Sequence, residues 1–236
     1  MTQTNIYSSE NSFRKFLSRT FSVVALGVAI SAVIAFLSSL FVPYFFYTYP
    51  NMVLITVIVL AVGEIGVAIF FTSKLGTMSK QTAWICYVLY SVLTGLSIST
   101  IIMLYTDASV ALAFATTAIL FICMSIIGHT SKVDFTKVYS LFLPAIIAGA
   151  IVTILNALFF HLQFISIAIC YIGIVLFLCI VAADTKRLSN FYFESYNDPD
   201  LLEKFMIMGA FQLYLDFINL FIRILQILGK NKNSNK

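Results

Sequence analysis

Seven long apolar runs divide this chain, at about 20–42, 52–73, 82–105, 108–128, 138–160, 163–185 and 204–228. A helix needs about 20 mostly apolar residues to cross the hydrocarbon of a bilayer, and each run supplies them. Hydrocarbon offers the backbone no hydrogen-bond partner, so only helices and closed barrels span it. The runs are too long and unbroken for the alternating segments of roughly ten residues that build a barrel. The expected fold class is an all-α integral membrane protein, a bundle of seven transmembrane helices. Composition agrees: 10% of residues are charged and 61% hydrophobic, against about 25% charged in a soluble domain.

The breaks between runs carry turn chemistry: Pro43, Pro50–Asn51, Lys74 to Lys80, Asp107, Gly128 to Lys137, His161 to Gln163 and Ser195 to Pro199. The connections are short, so consecutive helices are expected to be neighbours. One membrane domain, 20–229, is expected between a short cytoplasmic arm, 1–19, and a short polar tail, 230–236. The arm reads as disordered. The first run is too long for a signal-peptide core and lacks a convincing small-residue cleavage site.

The cations set the orientation. Arg14, Lys15, Arg19, Lys74, Lys80, Lys132, Lys137, Lys186, Arg187 and Lys204 all fall on one side of a seven-span chain. The loops near 43–51, 105–109 and 160–163 hold no Lys or Arg. The N-terminus is therefore expected in the cytoplasm. Seven crossings then place the tail, with Lys230, Lys232 and Lys236, outside; the alternative is a last segment that re-enters. The net charge of +4 is spread over membrane boundaries and forms no dense basic patch, so no nucleic-acid partner is expected. Cys170 and Cys179 are nine residues apart, about 13 Å along one helix, too far to bridge. All four cysteines lie in apolar runs, without a CxxC pair or a Cys/His cluster, and read as small hydrophobes. No cofactor is expected.

Four charged residues lie inside spans: Glu64, Asp184, Asp216 and Arg223. An ionisable group at bilayer depth is a functional candidate because its burial is otherwise hard to explain. In the last run, Gln212, Asp216, Asn219, Arg223 and Gln226 are spaced 4, 3, 4 and 3, one polar stripe on an apolar helix. Such a stripe faces other helices or water, which predicts that the last helix is central. A purely structural role, as hydrogen-bonding glue between helices, suits Asn and Gln better than a mid-span Asp.

Asp184 and Asp216 are equidistant from residue 200, and the turn signal "YNDPD" covers 196 to 200. In an antiparallel hairpin the two carboxyls would stand level. Two carboxylates close together at low dielectric cannot both ionise cheaply, so the pair shares a proton and titrates as a unit. Such a pair can sense pH, offer hard oxygen ligands to a cation such as calcium, or run acid–base hydrolysis. Glu64, flanked by Gly63 and Gly66, reads equally as a cation or proton relay and as a protonated Glu bonded to a neighbouring helix. Lys74 is either a snorkelling interface lysine or a cationic latch for the aspartates. Arg223, two turns from Asp216 and about 10 Å away, is the rival latch. His129 and His161 read as boundary histidines.

Several stretches then resemble one family. "LYLDFINLFIRILQILG" resembles the C-terminal signature of the Bax inhibitor-1 (transmembrane BAX inhibitor motif) family. "AADTKRL", "GEIGVAIFFTSKLGTMS" and "YSVLTGLSISTIIMLY" resemble that family's sixth, second and third helices. The similarity runs from about Phe13 to Gly229. The resemblance implies seven helices with the last at the centre. It also implies a pH-sensitive calcium leak in which Asp184 and Asp216 form the sensing dyad and bind calcium transiently. A basic latch near the end of the second helix is implied as well, where Lys74 is nearest; a Lys lacks the bidentate fork of Arg. The usual Gln after Asp-Thr is Lys186 here. The compact chain suggests a bacterial member in a cytoplasmic membrane.

The expected function is thus a non-enzymatic, pH-sensitive calcium leak, with calcium, protons and the bilayer as partners. An intramembrane aspartyl protease is the first alternative, but "LYLD" and "VAAD" lack the Gly-x-Gly-Asp motif. A non-conducting regulatory membrane protein is the second. A classical carrier is disfavoured because no inverted repeat or pair of broken helices is evident.

Overall fold

The computed structural model describes residues 3–74, 77–131, 136–195 and 198–230. Lys132, Lys232 and Lys236, the side chain of Lys137 and residues 196–197 of the expected turn lie outside the described residues. Among the described residues there are eight α-helices: α1 (Gln3–Ser39), α2 (Val42–Thr48), α3 (Met52–Lys74), α4 (Lys80–Ile102), α5 (Asp107–Thr130), α6 (Thr136–Leu155), α7 (Gln163–Ser195) and α8 (Pro199–Leu228). All but α2 provide a stretch long and apolar enough to cross a membrane. No strand occurs among the described residues.

Three boundaries differ from the sequence expectation, each for a physical reason. The leader expected to be disordered is helical from Gln3. Phe13 and Phe16 are buried there, with Tyr192 ring centroids 5.1 and 5.3 Å away, so apolar anchors hold the polar segment in place. The break after the first span contains α2, "VPYFFYT", with Pro43 in its first turn, where a missing N–H costs nothing. Its Tyr44 and Tyr47 are exposed, as amphipathic rings at a membrane–water interface are. Finally, α7 does not end near Asp184 but runs eleven residues further, to Ser195.

Helix ends use local chemistry. Asp198 caps α8: its Oδ1 accepts from the N–H groups of Asp200 and Leu201, both at 3.0 Å. Ser79 caps α4 by accepting from the Thr82 N–H at 3.1 Å. The α6–α7 corner is a π turn at Asn156–Phe160 closed by His161 at φ 52°, a left-handed conformation that His tolerates better than most residues. The Asn156 side chain accepts from the Leu162 N–H at 3.0 Å and donates to the Leu162 carbonyl at 3.1 Å.

The chain forms two compact units: residues 1–104 with 190–214, and residues 105–189 with 215–236. In the first, α1 and α4 pack through small residues, as spanning helices do when backbones approach closely. A Cβ on Gly27 would overlap the Tyr87 hydroxyl and sit 2.8 Å from that ring. One on Gly95 would sit 2.7 Å from Ile34 Cβ and 2.8 Å from the Ser31 carbonyl oxygen. In the second unit, Gly128 of α5 lies directly on the backbone of Ala182 in α7, and Phe121 packs edge-on to Phe217 at 5.5 Å. The end of α8 is tied to α5: the Thr106 N–H donates to the Lys230 carbonyl, and the Lys230 N–H donates to Ser109 Oγ, each at 3.0 Å.

Burial grades the spans. None of the apolar window of α3 is buried, and Leu54, Val59, Val62, Ile65 and Ile69 stand outward, suited to lipid. In α8 the buried share is 61%, against 44% in α4, the next most buried span.

Gly27→Ala is expected to lower the thermal unfolding temperature in detergent, at a cost of about 1–3 kcal/mol typical of overpacking. Gly66→Ala, with nothing within 4 Å of the new Cβ, is expected to leave it level or raise it. Equal effects at the two sites would contradict the packing.

Candidate functional site

Asp184 sits in an unbroken helical stretch of the second unit. Its neighbours Val181, Ala182, Ala183 and Thr185 are each 1% exposed or less, and Asp184 itself is 8% exposed. The small side chains of Ala182 and Ala183 let α5 approach α7 at Gly128. Thr185 turns its hydroxyl back to the Val181 carbonyl, 2.8 Å away, and so makes no demand on its surroundings. Two residues on, Lys186 reaches across to α5: its Nζ donates to the Ser131 carbonyl at 2.9 Å, beyond the last turn of that helix.

Asp216, also in the second unit, is 5% exposed. Its carboxyl lies within hydrogen-bonding reach of that of Asp184. A hydrogen bond between two carboxyls needs a proton on one of them, so the arrangement suits one proton shared between two oxygens. The other oxygen, Asp216 Oδ2, is buried and has no hydrogen-bond partner among the described residues. Phe217, next along α8, packs against Phe114 and Phe121 of α5, with ring centroids 5.6 and 5.5 Å away.

Sequence reasoning missed two α5 residues that mark where α5 packs near this site. Gly128, read only as the start of a break, brings α5 into direct contact with the α7 backbone at Ala182. Ser125 lies between Phe121 and Gly128 on the same face of α5, and its Oγ is likewise buried without a partner. The spacing Phe121, Ser125, Gly128 was the available signal.

The remaining candidates fall elsewhere. Along α8, Asp216 is buried, Gln212 and Arg223 are half-buried, and Asn219 and Gln226 are exposed. The polar stripe is therefore the least covered line on α8. Asn219 Nδ2 donates to the Leu215 carbonyl at 2.8 Å, and Gln226 Oε1 accepts from Cys170 Sγ at 3.0 Å. Arg223 lies over Gly173 of α7: a Cβ there would sit 3.3 Å from the Arg223 Nε and 3.5 Å from its Cδ. Arg223 forms no ion pair among the described residues and shares a unit with the dyad. Lys74 ends α3, exposed, in the other unit. Glu64 is also in that first unit, beside the Ser97 hydroxyl. Among the described residues, no group of three or more His, Cys, Asp or Glu side chains stands together.

Fold and site together define a multi-pass helical membrane protein that buries two neighbouring carboxyl groups in its second unit. Over residues 13–233 the sequence matches the family described as "Inhibitor of apoptosis-promoting Bax1", and the chain belongs to that family. It is 32% identical to an uncharacterized protein of Rickettsia prowazekii (strain Madrid E) over 95% of this chain and 93% of that protein. It is 33% identical to an uncharacterized protein of Deinococcus radiodurans over 91% of this chain and 90% of that one. With the inner membrane protein YbhL of Escherichia coli (strain K12) it shares 29% identity over 92% of both chains.

Gly128→Val is expected to push α5 off α7 and destabilise the protein by about 1–3 kcal/mol, the range for overpacked interiors. Thermal unfolding with and without the substitution measures this. An unchanged transition would mean that α5 and α7 do not meet at this residue.

Proposed function

We propose that the protein is a calcium leak of a bacterial inner membrane, gated by the proton shared between Asp184 and Asp216. The observation that carries this reading is the contact of two buried carboxyls, one of which keeps an oxygen without a partner. Protons and calcium compete for the same hard oxygens. Calcium affinity rises with the number of charged ligands, so two carboxyls completed by carbonyls and water make a weak site, suited to passage. The uncovered polar line of Asn219, Arg223 and Gln226 runs on from Asp216 toward the end of α8. Polar groups exposed on so buried a helix favour a wet vestibule there over contact with lipid tails.

In this reading the N-terminus is cytoplasmic, following the cation asymmetry, and the protein is not an enzyme. With both carboxylates ionised, a latch cation is attracted and the path is closed. Protonation of the pair releases the latch, so flux rises as pH falls. Arg223 is the better-placed latch, since it shares a unit with the dyad. The separation of seven residues, about 10 Å along the helix, leaves room for intervening water.

The test is calcium flux into liposomes containing only this protein, measured across pH. The wild type is expected to conduct more at acid pH. Asp184→Asn and Asp216→Asn are each expected to bring the ratio of acid to alkaline flux to about one, because an amide does not titrate over this range. Arg223→Gln is expected to raise flux at alkaline pH. Mutants that match the wild type across pH, or a wild type that passes no calcium, would end this reading. Cleavage of a helical test substrate by the wild type but not by Asp216→Ala would replace it with the aspartyl-protease reading.

A further inference from the structure

A second polar cluster lies in the first unit, apart from the dyad. Glu64 of α3 meets one face of α4, where Tyr90, Thr94 and Ser97 recur at helical spacing. The Ser97 hydroxyl is within hydrogen-bonding reach of the Glu64 carboxyl. Tyr90 and Tyr214 both stand close enough to that carboxyl to feel its charge. The Thr94 hydroxyl lies within reach of both phenols but is aligned for a hydrogen bond with neither, and it remains buried without a partner. Glu64 Oε1 is the second buried orphan in this unit. Around them the network is well made: Ser31 Oγ and the Tyr214 hydroxyl are 2.6 Å apart, and Ser31 Oγ also donates to the Ser91 carbonyl at 2.7 Å.

Two orphaned polar atoms in one cluster signal a bound water or ion that they would hold. Water alone would satisfy the hydrogen bonds and leave the Glu64 charge uncompensated in a membrane span. No ion pair of Glu64 exists among the described residues. Lys74, the cation on the same helix, is ten residues away, about 15 Å along the axis. One carboxylate surrounded by neutral hydroxyls carries a single negative charge, which matches a single positive one. The titratable groups facing Glu64 among the described residues are Tyr90 on α4 and Tyr214 on α8. Neither phenol supplies a second negative charge near neutral pH.

We propose that Glu64, Tyr90, Thr94 and Ser97 bind one monovalent metal cation, with sodium as the ion of matching hardness. Glu64 supplies the charge, and the hydroxyls of Thr94, Ser97 and Tyr90 supply neutral oxygen ligands. The site does not depend on the dyad or on calcium passage. It requires only that the Glu64 carboxyl be ionised, so protons compete with the metal.

The test uses the full chain in detergent, with calcium chelated, in sodium chloride or in N-methylglucamine chloride at equal ionic strength. Sodium is expected to raise the unfolding temperature saturably, since a ligand that binds the folded state stabilises it. The sodium needed for half the effect is expected to rise as pH falls. Glu64→Gln and Thr94→Val are expected to abolish the shift and Thr94→Ser to keep it. The Asp184→Asn, Asp216→Asn double variant is expected to retain it. Should Glu64→Gln fail to fold, the contrast between Thr94→Val and Thr94→Ser carries the test. Equal stability in the two salts would overturn the proposal and leave Glu64 neutralised by a proton. So would a shift that survives Glu64→Gln, or one that disappears with the dyad variants. Failure of this test leaves the flux experiment intact, and the converse holds.

Discussion

Every polar group in a span must find its hydrogen-bond partner inside the protein, because hydrocarbon provides none. Many of the hydroxyls here meet that demand locally, by turning back onto the carbonyl four residues earlier. Thr20, Thr117, Thr153 and Thr185 all do so, at 2.7 to 3.0 Å. A hydroxyl satisfied in this way asks nothing of neighbouring helices. Against that background the exceptions carry meaning. Four side-chain atoms are buried and unpartnered among the described residues: Glu64 Oε1 and Thr94 Oγ1 in the first unit, Ser125 Oγ and Asp216 Oδ2 in the second. Two of the four are carboxyl oxygens of ionisable groups, one in each unit.

Close backbone approach accompanies both clusters. Gly95, which has no room for a Cβ against α1, is next to Thr94. Gly128, which has no room for a Cβ against α7, is three residues from Ser125. Where backbones meet this closely, neighbouring side chains have little freedom to swing out and find another partner. The constraint does not extend to every glycine: Gly66 and Gly149 have nothing within 4 Å of a built Cβ. Small residues thus mark a functional contact only where another helix occupies the space they leave.

Much of this was legible in the sequence because the membrane imposes simple rules. Span number follows from apolar length, and the candidate carboxyls follow from their rarity in apolar runs. The symmetric count about residue 200 paired Asp184 with Asp216, although the break between α7 and α8 lies between Ser195 and Pro199. A straight, level hairpin about that break would set Asp184 opposite Ala210, six residues or about 9 Å short of Asp216. The aspartates were therefore found by chemistry more than by hairpin geometry. Less legible were features set by packing. The Lys186–Arg187 pair suggested a membrane surface and a helix end, but Lys186 caps α5 and α7 continues. The helical leader depends on Phe13 and Phe16 meeting Tyr192, a contact between residues far apart in sequence. The roles of Ser125 and Gly128 depend on where α5 meets α7, which no local pattern specifies.

One helix contributes to both clusters. Tyr214 belongs to the first unit and faces the Glu64 cluster, whereas Asp216 belongs to the second and faces Asp184. The charge count keeps their chemistry distinct. A lone carboxylate among hydroxyls is balanced by one positive charge, whereas a fully ionised pair of carboxylates needs two. Acidification would discharge both clusters in the proposed readings, so pH alone would not separate their effects.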